Sequence, residues 1–294
     1  MSLNVDSRSK ALLRGAIDTH MHTGPDIYPR SVTVMEAAKN AKNAGMRAIL
    51  VKSHCTDTSD RAELSRMLTD FPVFGGVTLN YPVGGLNVHA VRESIRQGGK
   101  QVWMPSTSAR PFMQDAQSIP FLAKTLPLGV EGITILQKDG GLVPEIAPIL
   151  SLIAEHDIAL ASSHVSPAEA FALVKAARKA GVKRITITHP HASFLAYTVD
   201  QMIELVGVGS LLEFHFAFTT KIIANAPSVS DLAKNIRAIG PEHCILATDG
   251  GQAANPPPHE MLRLFIAGVL EAGFSDDEIE TMTKRNPGWI LGLS

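Results

Sequence analysis

Eight short apolar runs, each leading into a helical stretch or a longer connection, constrain this chain more than any other feature. The runs are 15–20 (GAIDTH), 46–52 (MRAILVK), 73–79 (VFGGVTL), 101–105 (QVWMP), 157–164 (DIALASSH), 184–189 (RITITH), 210–216 (SLLEFHF) and 244–249 (CILATD). Most are continuously apolar rather than alternating, the pattern of parallel strands buried on both faces. Strand–helix alternation predicts an α/β fold with a parallel sheet. Eight repeats are the number that closes a (β/α)8 TIM barrel, which takes about 250 residues. The 294 residues fit one such domain spanning 1–294. An open doubly wound sheet is the alternative, but no G-x-G-x-x-G loop follows the first run.

The helical stretches carry their own boundaries. Residues 31–45, 144–157, 166–181, 227–240, 258–273 and 275–292 read as helices. In 166–181, Ser166 suits the N-cap, Pro167 the first helical position and Glu169 a capping box, and Gly181 ends the helix. A short extra run, 132–136 (GITIL), lies inside the longest departure from the plan, 105–145. That excursion is expected near the barrel mouth.

Charge and composition narrow the partners. Net charge is −1 and no basic block occurs, which argues against nucleic acid and anionic membrane surfaces. No run of 18 apolar residues is present, so no membrane span is expected. Residues 1–16 lack the apolar core of a signal peptide. Two cysteines, Cys55 and Cys244, make no disulfide framework and suit a reducing cytoplasm. The expected partner is a small molecule, with self-association left open.

Chemistry in a barrel of this kind sits at the C-terminal ends of the strands. Seven of the eleven histidines fall on or just past such an end: His20, His22, His54, His164, His189, His191 and His215. The other four, His89, His156, His243 and His259, sit in helical or loop contexts and serve as a control. Lys52 ends the second run and Asp249 the eighth. Residues i and i+2 of a strand face the same way, so His20 and His22 can point together into the mouth. Imidazoles and a carboxylate suit zinc foremost, and manganese, iron or nickel as alternatives. Such a cation acidifies water and polarises a carbonyl, and Asp249 is placed to carry the proton. The plainer readings are a pair of hydrogen-bonded core histidines and, for Asp249, a helix cap.

The segments DTHMH (18–22), ASSHVS (161–166), TITHPH (186–191) and LATDGG (246–251), with the ending RNPGWILGL (285–293), resemble the amidohydrolase superfamily of metal-dependent hydrolases on (β/α)8 barrels. The resemblance spans nearly the whole chain. It implies that His20 and His22 are the first-strand metal pair, that His164 and His189 are the fifth- and sixth-strand ligands, and that Asp249 is both ligand and general base. Two-metal members usually carry a carboxylated lysine or a glutamate at the end of strand four, and QVWMPSTS has neither. One ion is the simpler expectation, leaving His189 or His164 to polarise the substrate carbonyl. A second ion would need Lys52 as a carboxylated bridge.

Lys52 ends a buried strand, where an idle ammonium is costly, so a catalytic or substrate-anchoring role is expected. His54, Arg110 and Lys138 are further candidates for binding a carboxylate-bearing substrate, against the plain reading of solvated loop charge. Glu213 and His215 share a face, inward or outward, and one is expected to orient a ligand histidine. His191 reads as a loop residue, and Cys55 and Cys244 carry no role. The function expected is hydrolysis of an amide, lactone or ester of a small acid. Metal-dependent decarboxylation and a catalytically silent barrel are the alternatives.

Overall fold

The computed structural model describes residues 3–114, 129–223 and 225–293. Nine strand segments occur: β1 Ile17–His22, β2 Ala48–Lys52, β3 Val73–Phe74, β4 Gly76–Thr78, β5 Gln101–Trp103, β6 Ala159–Ala161, β7 Ile185–Thr188, β8 Leu211–His215 and β9 Cys244–Ala247. All neighbouring pairs are parallel. Segments β3 and β4 are two parts of one barrel strand: β3 pairs with β2, and β4 pairs with β5. Gly75 separates them, and a Cβ there would collide with the backbone of Thr58. Each of the eight predicted runs therefore supplies one barrel strand.

The ring closes between β1 and the segment after β9. His22 N donates to Gly250 O at 2.7 Å, and Asp249 N to His20 O at 2.7 Å. Asp18 reinforces the seam: its carboxylate accepts from Thr248 N at 3.1 Å and from Thr248 Oγ1 at 2.6 Å.

Strand periodicity sorts the side chains. Ile49 and Val51 pack outward with the helices, whereas Ala48 and Leu50 join Ile17, Trp103 and Ile245 inside the barrel. Lys52 continues that inward face. In β8, Leu212 and Phe214 face the helices, so Glu213 and His215 point inward. Ile290 and Leu291 from the C-terminal helix close the barrel floor.

The predicted helix 166–181 appears as Pro167–Lys179, with Ser166 capping Glu169 N and Glu169 reaching back to the cap. Ser166→Ala should cost about 1 kcal/mol of stability, read as a shift of the urea midpoint. Two expectations need correction. GITIL (132–136) is no strand: Ile133 makes an isolated bridge with Ala109, and Leu136 one with Leu142. Residues 275–292 are not one helix but Asp276–Glu280, a π-helical turn Thr281–Arg285 and Asn286–Ile290. Part of the 105–145 excursion, 115–128, lies outside the described residues. No described helix is long and apolar enough to cross a membrane.

Candidate metal centre

His20 and His22 end β1, and its register against β2 shifts between Asp18 and Met21. Both rings point into the mouth. His22 Nε2 lies 3.0 Å from Asp249 Oδ1, and His20 Nε2 lies 3.4 Å from the same oxygen. Four donors at about 2.1 Å around a tetrahedral ion stand about 3.4 Å apart, so this trio has the spacing of a ligand set. His189 Nε2 approaches from the other side, 4.0 Å from Asp249 Oδ2.

The backbone is bent to present these groups. His189 and Asp249 both adopt positive φ, 54° and 45°, within two residues of the ends of their strands. Aspartate tolerates this region better than most residues. Gly251 follows at φ 110°, and a Cβ there would overlap His22 O. Gly251 of LATDGG is thus required for the chain to pass close beside the first strand.

Burial sets the protonation. The imidazoles of His20, His22 and His189 are held well below the ordinary histidine range, chiefly by desolvation and then by neighbouring cationic groups. Neutral imidazole is the form that ligates a metal. Burial raises the Asp249 carboxyl, opposed by His215, Lys52 and Arg30.

Glu213, Lys52 and His215 surround the His20 ring, with His215 Nε2 3.1 Å from its Nδ1. His20 Nδ1 also lies 3.3 Å from Glu213 Oε2, while Lys52 Nζ lies 3.2 Å from Nε2. Lysine can only donate, so Nε2 is the acceptor and Nδ1 carries the proton. His215 Nε2 is 3.3 Å from the same Glu213 oxygen, so two imidazoles converge on one carboxylate oxygen. Thr19 Oγ1 donates to Glu213 Oε1 at 2.5 Å. The expected orienting role falls to Glu213, with the His215 ring beside His189. His20, His189 and His215 form a second group of close nitrogen donors.

The remaining expected site residues divide. His22, Lys52, His54, His164, His189 and Asp249 line one pocket, with Ala217, Phe218, Ile222, Ile223, Arg30 and Gln252 completing its wall. His164 lies in a turn beyond β6 after Ser163 (φ 54°), its ring packed on Phe112 and Phe194. It is in neither close donor group among the described residues. His54 Nδ1 meets Ser106 Oγ at 2.9 Å, and Asn80 Nδ2 donates to the same hydroxyl at 2.8 Å. Arg110 and Lys138 do not reach this pocket: they line a separate surface depression with Glu131, which pairs with Arg110 at 3.8 Å. His191 packs flat on Phe214, behind the site. Sequence reasoning missed Arg30, Asp18 and Gln252. An acid inside an apolar run was a usable signal for Asp18. Nothing local marked the other two.

Comparison with known proteins agrees with the barrel. The structure resembles an amidohydrolase from Pseudomonas aeruginosa (TM-score 0.63, 11% identity, 96% of this chain and 98% of that one). It also resembles the probable dipeptidase PvdM from Pseudomonas aeruginosa (TM-score 0.62, 10% identity, 100% of both chains). A third likeness is to a 2,6-dihydroxybenzoate decarboxylase (TM-score 0.56, 10% identity, 95% of this chain and 100% of that one). The fold is therefore a (β/α)8 barrel shared with these proteins. At the level of sequence, residues 15–213 match DUF6282, described as a family of unknown function, and the chain belongs to it. No curated protein sequence matches the chain.

Proposed function

We propose that this protein is a metal-dependent hydrolase acting on an amide, lactone or ester bond of a small, carboxylate-bearing molecule. The observation that carries the reading is the convergence of His20 Nε2 and His22 Nε2 on Asp249 Oδ1, at 3.4 and 3.0 Å. Neutral nitrogens and a carboxylate at that spacing fit a divalent cation, zinc before manganese, iron or nickel. A cation there supplies a Lewis acid that acidifies water and polarises a carbonyl oxygen.

The chain's own groups do the rest. Asp249 takes the proton of the attacking water and returns it to the leaving group. His189, 4.0 Å from the other Asp249 oxygen, stands where it can hold the substrate's carbonyl oxygen or serve as a further ligand. Glu213 keeps the His20 lone pair aimed at the centre through Nδ1. Lys52 donates to that same lone pair at 3.2 Å. Burial lowers the pKa of its ammonium to about 8; with a cation held by His20, this ammonium would be free for the substrate. His164 closes the pocket wall and is the candidate second holder of the carbonyl.

Decarboxylation of a small acid is the second reading. It is favoured by the end of β5, where Met104, Pro105 and Ser106 offer no lysine or glutamate for a second ion. One decarboxylase is also among the structures of like fold.

Metal analysis of purified protein should find about one ion per chain, and a chelator should lower both the melting temperature and the turnover. Assays on N-acyl amino acids, lactones and carboxylate esters test hydrolysis, and carbon dioxide release from unsaturated and aromatic acids tests the second reading. Protein with well under one ion, and no affinity for added zinc or manganese, would sink both.

A further inference from the structure

Arg30 lies in the connection between β1 and the helix Val34–Asn43, eight residues after His22. Its side chain is 3% exposed and forms part of the pocket wall beside His22 and Asp249. Asp26, 1% exposed, holds one side of it: Arg30 Nε donates to Asp26 Oδ2 at 2.9 Å. The guanidinium lies over the Tyr28 ring at 5.3 Å, and that ring meets His54 edge-on at 5.9 Å. Backbone contacts tie the segment down: Arg30 bridges to Gln252, and Ser31 N donates to Gly251 O at 2.9 Å. The guanidinium is thus fixed in position at the mouth.

It is not fully used there. Nη2 lies 2.8 Å from Asp26 Oδ2 but at an angle that makes no hydrogen bond, and it has no other hydrogen-bond partner among the described residues. A buried guanidinium with unused donors is costly unless something accepts from them. Its fork matches a carboxylate. The pocket beside it is small, about 30 Å³, and partly open to solvent, so a carboxylate-sized group fits at the guanidinium while the rest of a ligand extends outward. Phe218, Ile222 and Ile223 form the apolar part of the wall, against which a hydrocarbon body can lie.

We propose that Arg30, clamped by Asp26, is the specificity-determining residue that receives the substrate's carboxylate, making the substrate a small acid with an apolar body. This rests on the hydrolase reading for its chemistry, and replaces Arg110 and Lys138 as the anion-binding cations. The alternative role, an ion pair that only fastens the loop, predicts no preference for acids.

Acetate and acetamide are equal in shape and differ in charge. Their dissociation constants can be measured by ligand-observed NMR on metal-free protein, since zinc itself would favour acetate. Wild type should favour acetate by about tenfold or more. Arg30→Gln should cut that preference by about fivefold or more, while Arg110→Gln leaves it intact. Should Arg30→Gln fail to fold, the double variant Asp26→Asn/Arg30→Gln removes both charges together and avoids an unpaired buried carboxylate. Equal binding of the two probes by metal-free wild type, or a preference that either Arg30 variant leaves undiminished, overturns the proposal. Zinc content is measured separately. If zinc does not bind, the hydrolase reading fails, and the metal-free measurement still tests Arg30.

Discussion

Asp249→Asn is expected to lower kcat/KM by roughly 10²–10⁴-fold on whichever substrate the wild type turns over best. Asparagine keeps the shape and an oxygen ligand. It cannot accept the proton of an attacking water or hand one to a leaving group. It also removes the carboxylate that both His20 and His22 approach, so zinc affinity should fall as well. Saturating zinc separates the two effects: restored occupancy with turnover still down assigns Asp249 to proton transfer, and full recovery of turnover would limit it to metal binding.

The same variant has a pH signature. Burial raises the Asp249 carboxyl above its ordinary range in the metal-free protein. A proton and a cation compete for it, so zinc affinity should rise with pH until the carboxyl is ionised. Asp249→Asn should flatten the acidic part of that dependence, measured by competition with a chromophoric chelator. A wild-type affinity that stays constant from acid to neutral pH would contradict this account.

The barrel was legible because strand burial writes itself as continuous apolar runs, and because chemistry collects where those runs end. Lys52 and Asp249 stood out as charged residues terminating apolar stretches, and both line the pocket. His20 and His22 were readable from the two-residue period alone. Glu213 and His215 were not resolved, since a single strand shows which residues share a face and not which face is inside. Their inward direction follows from Leu212 and Phe214 packing against the helices. Arg30 was illegible for a different reason. Its place depends on a connection folding back onto Gly251 and Gln252, a pairing with no local pattern. Asp18 likewise depends on Thr248, 230 residues away. Arg110 and Lys138 show the converse error: a loop cation near a predicted mouth need not reach it, and these two line a separate depression, where Arg110 pairs with Glu131.

Glu213→Gln tests whether the buried carboxylate governs the metal through His20. Glutamine keeps the volume and one acceptor oxygen, but loses the charge that His20 Nδ1 and His215 Nε2 both face at 3.3 Å. Zinc affinity should fall by about 10–100-fold with the three proposed ligands untouched. Burial pushes the Glu213 carboxyl up to about 8 in the metal-free protein, against the lowering pull of Thr19 and Lys52. Between the ordinary carboxyl value and about 8, the folded chain therefore holds a proton that the unfolded chain has released. Stability from this group is fully present at the acid end of that window and declines as pH rises to about 8. Glu213→Gln should flatten that decline in metal-free protein, read from urea midpoints across the range. Zinc binding brings positive charge next to His20 and favours the ionised carboxylate. Loading wild type near pH 7 should then release about one proton more than loading Glu213→Gln, measured calorimetrically in buffers of different ionisation enthalpy. Equal proton release by the two proteins would mean that Glu213 is already ionised before the metal arrives, and that its influence on His20 is one of orientation alone.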